Sequence, residues 1–447
     1  MGYFNFQSVK LKKNKNLGFK ELLAIAVGGM VGGGIFTILG ISVAMVGALA
    51  PFAIAFGGVI AWFAAYSYVK LGVYYKDEGA TYAFFKRTYP QTYMAASFIG
   101  WYTIFGYIST LALYAYTFAS YIISGSEFVD NEFIRKLIAV SIIALFAFIN
   151  YRSVKGMGKL EDVMVYSKLA ILFAISIVLI YFSKVDTHNF ILMMQDDFHA
   201  TPLVSILMVS SITFVAYEGF QLVINAVNEM DEPDENIPKA IYSSIVLVVL
   251  IYFIIALSAV LAIPTEDLIQ NKESALATGA GNIMGSFGQN LVILGAILAT
   301  SSAISGTLFG SSHQMARIAD DGYMPKILSF RKDMIPQFAI IAMATIASIM
   351  IVIGHLRLIL EFGSITFLLV SLLMSIANFK IRDKTNSSYV ITIISMLGLS
   401  MGTILILYYE YTTNIEQLFF IIIMYVLLAF AAWIYAHFTK KSTNIKG

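Results

Sequence analysis

The 447-residue sequence contains no cysteine, which excludes disulfides and thiolate metal sites and leaves the redox compartment open. Charge is scarce: Asp, Glu, Lys and Arg make up 13% of the chain against 59% hydrophobic residues, so almost nothing is left for a water-soluble domain. Histidine occurs only at His188, His199, His313, His355 and His437. Their separations match no ligand spacing, and no metal is expected. There is no basic stripe interleaved with aromatics that would point to nucleic acid. The glycine-rich stretch Gly28 to Phe36 lacks the Lys and Ser/Thr that would complete a phosphate cradle. No set of nucleophile, base and metal suggests an enzyme, and no cofactor is implied. What is present is a mean hydropathy of +0.79, which places the chain among polytopic membrane proteins, with the lipid bilayer as its surroundings.

A spanning helix needs about 20 mostly apolar residues. Twelve such runs are predicted, near 20 to 47, 50 to 74, 94 to 123, 135 to 151, 161 to 183, 202 to 227, 239 to 263, 289 to 317, 337 to 354, 356 to 377, 389 to 410 and 416 to 438. The tightest division is between the ninth and tenth, where Gly354, His355, Leu356 and Arg357 must make the turn. The basic start before the first run has no convincing cleavage site, so that run is expected to be retained. With both termini cytoplasmic, 23 of the 29 Lys and Arg residues fall on the cytoplasmic face and adjoining helix ends, as the positive-inside rule requires. Arg135, Lys136, Lys184, Lys272 and Arg357 fall outside it, and Lys168 lies within the membrane.

The first run carries GGMVGGGIF, Gly28 to Phe36, with five glycines where a membrane helix should be continuous. Each costs about 1 kcal/mol relative to alanine in a helix, so unwinding is easy and bare backbone comes within reach of a solute. The competing reading is close helix packing through small residues. The sixth run has its own interruption, FVAYEGFQ from Phe214 to Gln221, with Glu218 and Gly219 near mid-membrane depth. Five spans separate the two breaks, so the first and sixth helices enter from opposite faces. Glycine-interrupted segments at matching positions of two inverted halves point to a transporter's central site.

These residues carry a resemblance. GGMVGGGIF, the stretch Phe214 to Ile241, SSAISGTLFGSSHQMARIADDGYMP from Ser301 to Pro325, and EGATYAFF from Glu78 to Phe85 together resemble the amino acid/polyamine/organocation superfamily of secondary transporters. Lys168 resembles the fifth-helix lysine of its proton-coupled prokaryotic permeases. The resemblance implies an all-α fold of leucine-transporter type. Residues 20–183 and 202–377 would form a five-plus-five inverted repeat, residues 389–438 two further helices, and 1–19 and 439–447 cytoplasmic tails. EGATYAFF matches the family's re-entrant or interfacial stretch after the second helix. The resemblance also implies a substrate carboxylate against the amides of Gly32, Gly33 and Gly34, and an amine against carbonyls near Met30 and around Val215, Glu218 and Gly219. Helix ends offer this complementarity to a zwitterion independently. Many relatives have serine where this chain has Gly33, so Gly33 can offer backbone alone.

Lys168 lies seven residues into the fifth run, about 10 Å deep at 1.5 Å per residue. Met164, Val165, Ile171 and Leu172 on its own helix cannot pair with it. An intramembrane ionisable residue is a functional hypothesis by default; the alternative is a lysine snorkelling to the interface. The functional reading sets Lys168 against Gly28 and the hydroxyls of Ser301 or Ser302, with protonation biasing which face is open. For Glu218, a neutral acid capping freed backbone is preferred over direct amine binding. Phe214 and Phe220 flank the second break and either line a side-chain pocket or pack in the core. The expectation is thus a secondary transporter importing L-amino acids, neutral ones by preference, by proton symport in the plasma membrane. Exchange of amino acids or amines, and a non-transporting nutrient sensor, stand as alternatives.

Overall fold

The computed structural model describes residues 17–152, 157–183, 185–270, 273–332 and 334–446. Residues 1–16 of the expected N-terminal tail, and Lys184 and Lys272, lie outside the described residues. Those described form helices throughout, with only isolated backbone bridges at Leu17 with Met230 and Lys332 with Ile335. Nine helical stretches among them are long and apolar enough to cross a membrane.

The first run is split into α1 (Phe19–Met30) and α2 (Gly34–Val46). A short turn then leads into α3 (Ala50–Tyr75), where Pro51 occupies the first turn, a position that loses no helical hydrogen bond. After α3 comes α4 (Ala80–Thr88), where the sequence suggested an interfacial stretch. Four helices follow: α5 (Tyr93–Ile123), α6 (Glu132–Arg152), α7 (Met157–Tyr181) and α8 (Thr187–Ala200). Residues 184–201 lie between the fifth and sixth predicted runs, and α8 occupies most of them. Asp186 caps α8 by accepting from the Asn189 amide, and Asp197 accepts from the Ala48 amide at 2.7 Å.

The sixth run is also broken. Helix α9 (Leu203–Ile212) gives way to a tight 3-10 stretch, Thr213–Tyr217, before the short α10 (Leu222–Asn225). Helix α11 (Pro233–Ala262) and the short α12 (Thr265–Gln270) lead to α13 (Ala275–Asp320), which bends at Gly285, φ +63°. The arm before Gly285 was not foreseen, since its small and polar residues carry little hydropathy. Helix α14 (Gln337–Ile353) ends at Gly354, and α15 (Leu356–Lys380) starts behind the His355 cap, which places the turn where the sequence required it. Helices α16 (Arg382–Thr385), α17 (Tyr389–Thr413) and α18 (Ile415–Lys446) complete the chain. The last helix runs on to Lys446, where a tail was expected from residue 439.

The broken segments sit at the centre. Helix α1 packs on α11 and α13, α2 on the Thr213–Tyr217 stretch, and α3, α5, α11, α13 and α15 surround them. Apolar side chains are exposed along α6, α7, α14, α17 and α18, including Phe133, Phe173, Ile353, Leu397 and Phe430, as expected of surfaces that face lipid rather than water.

Candidate functional site

The two interruptions touch backbone to backbone. Gly219 has φ +127°, and a Cβ built there would sit 2.6 Å from the carbonyl carbon of Gly29 and 2.8 Å from the Met30 nitrogen. Only glycine combines this conformation with this approach. Gly34 is pressed against Ala216, 2.8 Å from a built Cβ to the alanine Cβ. Gly32 and Gly33 lie against Tyr114, Ala303, Thr117 and Thr300, with built-Cβ contacts of 2.8–3.2 Å. Gly32, Gly33 and Gly34 therefore serve close packing, which is the competing reading of the motif.

Breaking a helix leaves carbonyls without partners at the end of one half and amides without partners at the start of the next. Tyr252 on α11 meets part of this need: its hydroxyl lies 2.7 Å from the Met30 carbonyl and 3.1 Å from that of Ala216, one on each broken segment. Met30 O also accepts from the Gly32 amide at 2.9 Å. At the second break, Gln221 accepts from the Gly219 amide at 3.1 Å and donates to Glu218 Oε2 at 2.7 Å and to the Tyr107 hydroxyl at 3.2 Å. The amide of Gln221, rather than the carboxyl of Glu218, caps the freed backbone. Glu218 itself is 3% exposed, and its Oε1 has no hydrogen-bond partner among the described residues.

Lys168 is fully buried. Its Nζ donates to the Gly28 carbonyl at 2.8 Å and lies 3.5 Å from the Ser302 hydroxyl. That carbonyl belongs to the last turn of α1, where unpaired C=O groups and the negative end of the helix dipole favour a cation. The lysine thus reaches inward to the break rather than out to the interface. Ser301 is buried one residue from Ser302.

A cavity of about 40 Å³ is lined by Gly28, Gly29, Glu218, Gly219 and Ser302 together with Tyr107, Tyr114 and Phe367. It follows α13 past Thr307 and Ser311 to Gln314. Twelve residues at 1.5 Å each make that wall about 18 Å long. Such a space admits a few waters, not an amino acid. Met30, Gly32, Gly33, Gly34 and Val215 do not line it, because they sit on the tightly packed side of the breaks. Phe214 and Phe220 do not line it either. Both are fully buried in the core, Phe220 edge-on to Tyr68 at 5.3 Å. The aromatic wall is made instead by Tyr107, Tyr114 and Phe367, which sequence reasoning missed along with Tyr252 and Gln221. Three of these five are among 26 tyrosines with no spacing to distinguish them.

Comparison with known proteins shows the family. A family profile described as amino acid permease matches residues 17–444. An uncharacterized protein of Methanocaldococcus jannaschii is 27% identical over 96% of this chain and 97% of its own. An inner membrane transport protein of Escherichia coli is 27% identical over 92% and 94%. A branched-chain amino acid permease of Bacillus subtilis is 23% identical over 70% and 69%. Family and named relatives are transporters, not enzymes. The chain is an integral membrane protein with several spanning helices, and it belongs to the amino acid permease family.

Proposed function

We propose that the protein imports neutral L-amino acids across the plasma membrane by proton symport, with alternating access around the junction of the two broken helices. The observation that carries this reading is Lys168 donating to the Gly28 carbonyl beside a cavity that also holds Glu218. A protonated amine holds the end of α1. A neutral amine holds it less strongly, so protonation biases the position of α1 against α7 and α13. The twelve crossings expected from the sequence are compatible with the nine stretches above if Gly34–Tyr75 is counted as two and α6 and α14 are added. Residues 20–183 and 202–377 then serve as the inverted halves, with both termini cytoplasmic.

The substrate carboxylate is assigned to the amide-rich start of α2, Gly32 to Gly34, where the helix dipole favours an anion; this requires the packing around them to open and the Gly32 amide to leave the Met30 carbonyl. Its amine is assigned to Glu218 Oε1 and the carbonyls around Val215 and Gly219. The Met30 carbonyl already accepts from Tyr252 and Gly32, so it contributes only if Tyr252 turns away. Because the cavity runs toward the Gln314 end of α13, the arrangement fits a state facing the cytoplasm, and the tight packing of Gly32 to Gly34 fits a closed outer side. Neutral substrates are favoured because the carboxyl group of Glu218 is sufficient for one amine. Relatives named for branched-chain and large neutral amino acids point the same way. The test is uptake of labelled amino acids into proteoliposomes with a more acidic exterior. Wild type should concentrate substrate and Lys168→Ala should not; equal uptake by both would refute proton coupling through Lys168.

A further inference from the structure

A second buried ionisable cluster lies away from the broken helices, where α17 turns into α18. Arg357 Nε on α15 contacts Glu361 Oε1 at 2.7 Å, and its Nη2 contacts Glu410 Oε1 on α17 at 3.2 Å. Gln417 on α18 donates to Glu361 Oε2. The guanidinium lies over the Tyr409 ring, 4.8 Å from its centroid. Both carboxyl side chains are 0% exposed. One cation, its side chain 35% exposed, faces two acids that are fully buried, so with both ionised the buried pair would carry one negative charge more than Arg357 offsets, which is disfavoured.

Two further observations say how that charge is met. Glu410 Oε2 is buried and receives no hydrogen bond from an N–H or O–H of the described residues. Yet the two carboxyl groups lie within hydrogen-bonding reach of each other. Carboxylates only accept hydrogen bonds, so a bond between two of them needs a hydrogen on one. Helices α5 and α14, which flank this end of α15, carry no Asp, Glu, Lys, Arg or His. The other titratable groups at this end are His355, whose Nδ1 accepts from the Leu358 amide, the phenol of Tyr409, and Glu416 at the exposed start of α18. Lys136 on α6 donates to the Val352 carbonyl.

We propose that Glu361 and Glu410 share a single proton, forming a proton-binding site separate from Lys168 that ties α15, α17 and α18 together. The shared proton leaves one negative charge for Arg357 and supplies the missing donor at Glu410 Oε2. Helix α15 also carries Phe367, which lines the central cavity less than two turns from Glu361, so occupancy of this site bears on the wall of the cavity.

The test is infrared spectroscopy of the purified protein in lipid at neutral pH, comparing wild type with Glu410→Gln and with Glu361→Gln. Removing either partner leaves the other acid matched one-to-one by Arg357, hence ionised. Both variants should therefore lose the same protonated carboxylic acid band, while Glu218→Gln should not. If one variant fails to fold, the other decides alone. A carboxylic acid region left unchanged by the Glu361 and Glu410 substitutions that fold would overturn the proposal. So would wild-type melting that rises with sodium and not with acid, since the compensating charge would then be a metal cation.

Discussion

At Gly219 one residue meets two demands that only glycine satisfies: a φ of +127° and a built-Cβ distance of 2.6 Å to the Gly29 backbone. Gly219→Ala is expected to cost at least about 1–3 kcal/mol in stability and to abolish uptake, because the two breaks can no longer meet. Thermal melting in detergent with parallel transport assays would check this; a variant with wild-type melting and transport would show that the contact is dispensable. Tyr252→Phe removes the one hydroxyl placed between the Met30 and Ala216 carbonyls. Loss of a buried hydrogen bond of this kind costs about 1 kcal/mol. A lower melting temperature with folding intact is the expected result. The glycines were legible in the sequence because five of them inside a hydrophobic run contradict helix propensity. Tyr252 was not, because its role arises from a tertiary contact that leaves no local pattern. Gln221 was quoted within the second break, but nothing in the string tells that its amide, rather than the neighbouring carboxyl, caps Gly219.

Among elements, α4 is tied to the end of α13 beyond Gln314, where the cavity stops. Tyr82 and Lys86 of α4 both reach Asp321 at the end of α13, each at 2.8 Å, and Trp101 donates to the Tyr323 carbonyl at 2.8 Å. Tyr82 is buried, but the Lys86–Asp321 pair is partly exposed, and such ion pairs contribute about 0–1 kcal/mol, weak enough for the proposed transport cycle to use them as a latch. Asp321→Asn should loosen it. The absence of cysteine is useful here: a single cysteine at Gln314, on the cavity wall, would be the chain's only thiol. Its labelling rate should rise in the Asp321→Asn background, and an unchanged rate would argue against a latch.

Alkaline pH should act on the same region. Burial, with the Asp321 carboxylate beside it, pushes the Tyr323 hydroxyl from 10.0 up to about 12. The native phenol stays neutral where the unfolded one ionises, so its contribution is complete below pH 10 and is lost as pH rises from 10 to 12. Tyr323→Phe should show a smaller drop in melting temperature across that window than wild type. The sequence marked the α4 segment through EGATYAFF, whose resemblance put a re-entrant or interfacial stretch after the second helix. It did not reveal α8 or the first arm of α13. Their residues are too polar or too small for a hydropathy signal, and they are held in place by contacts such as Asp197 with Ala48.

For the whole molecule, the hydrophobic runs and the distribution of Lys and Arg made the polytopic helical character legible, because lipid permits few other solutions. The buried Lys168 was legible as an exception to that rule, and its partner at Gly28 followed from the adjacent break. The cluster of Arg357, Glu361 and Glu410 was not, since the two acids lie 49 positions apart in sequence and each reads alone as an ordinary helix-end charge. The most direct measurement is a paired uptake experiment in proteoliposomes more acidic outside than inside, with no internal substrate, comparing wild type with Lys168→Ala across a panel of labelled L-amino acids. Concentrative uptake of neutral amino acids by wild type, abolished by dissipating the proton gradient and absent in the variant, is the expected result. Uptake that requires substrate preloaded inside, or that persists undiminished in Lys168→Ala, would contradict proton symport through this site.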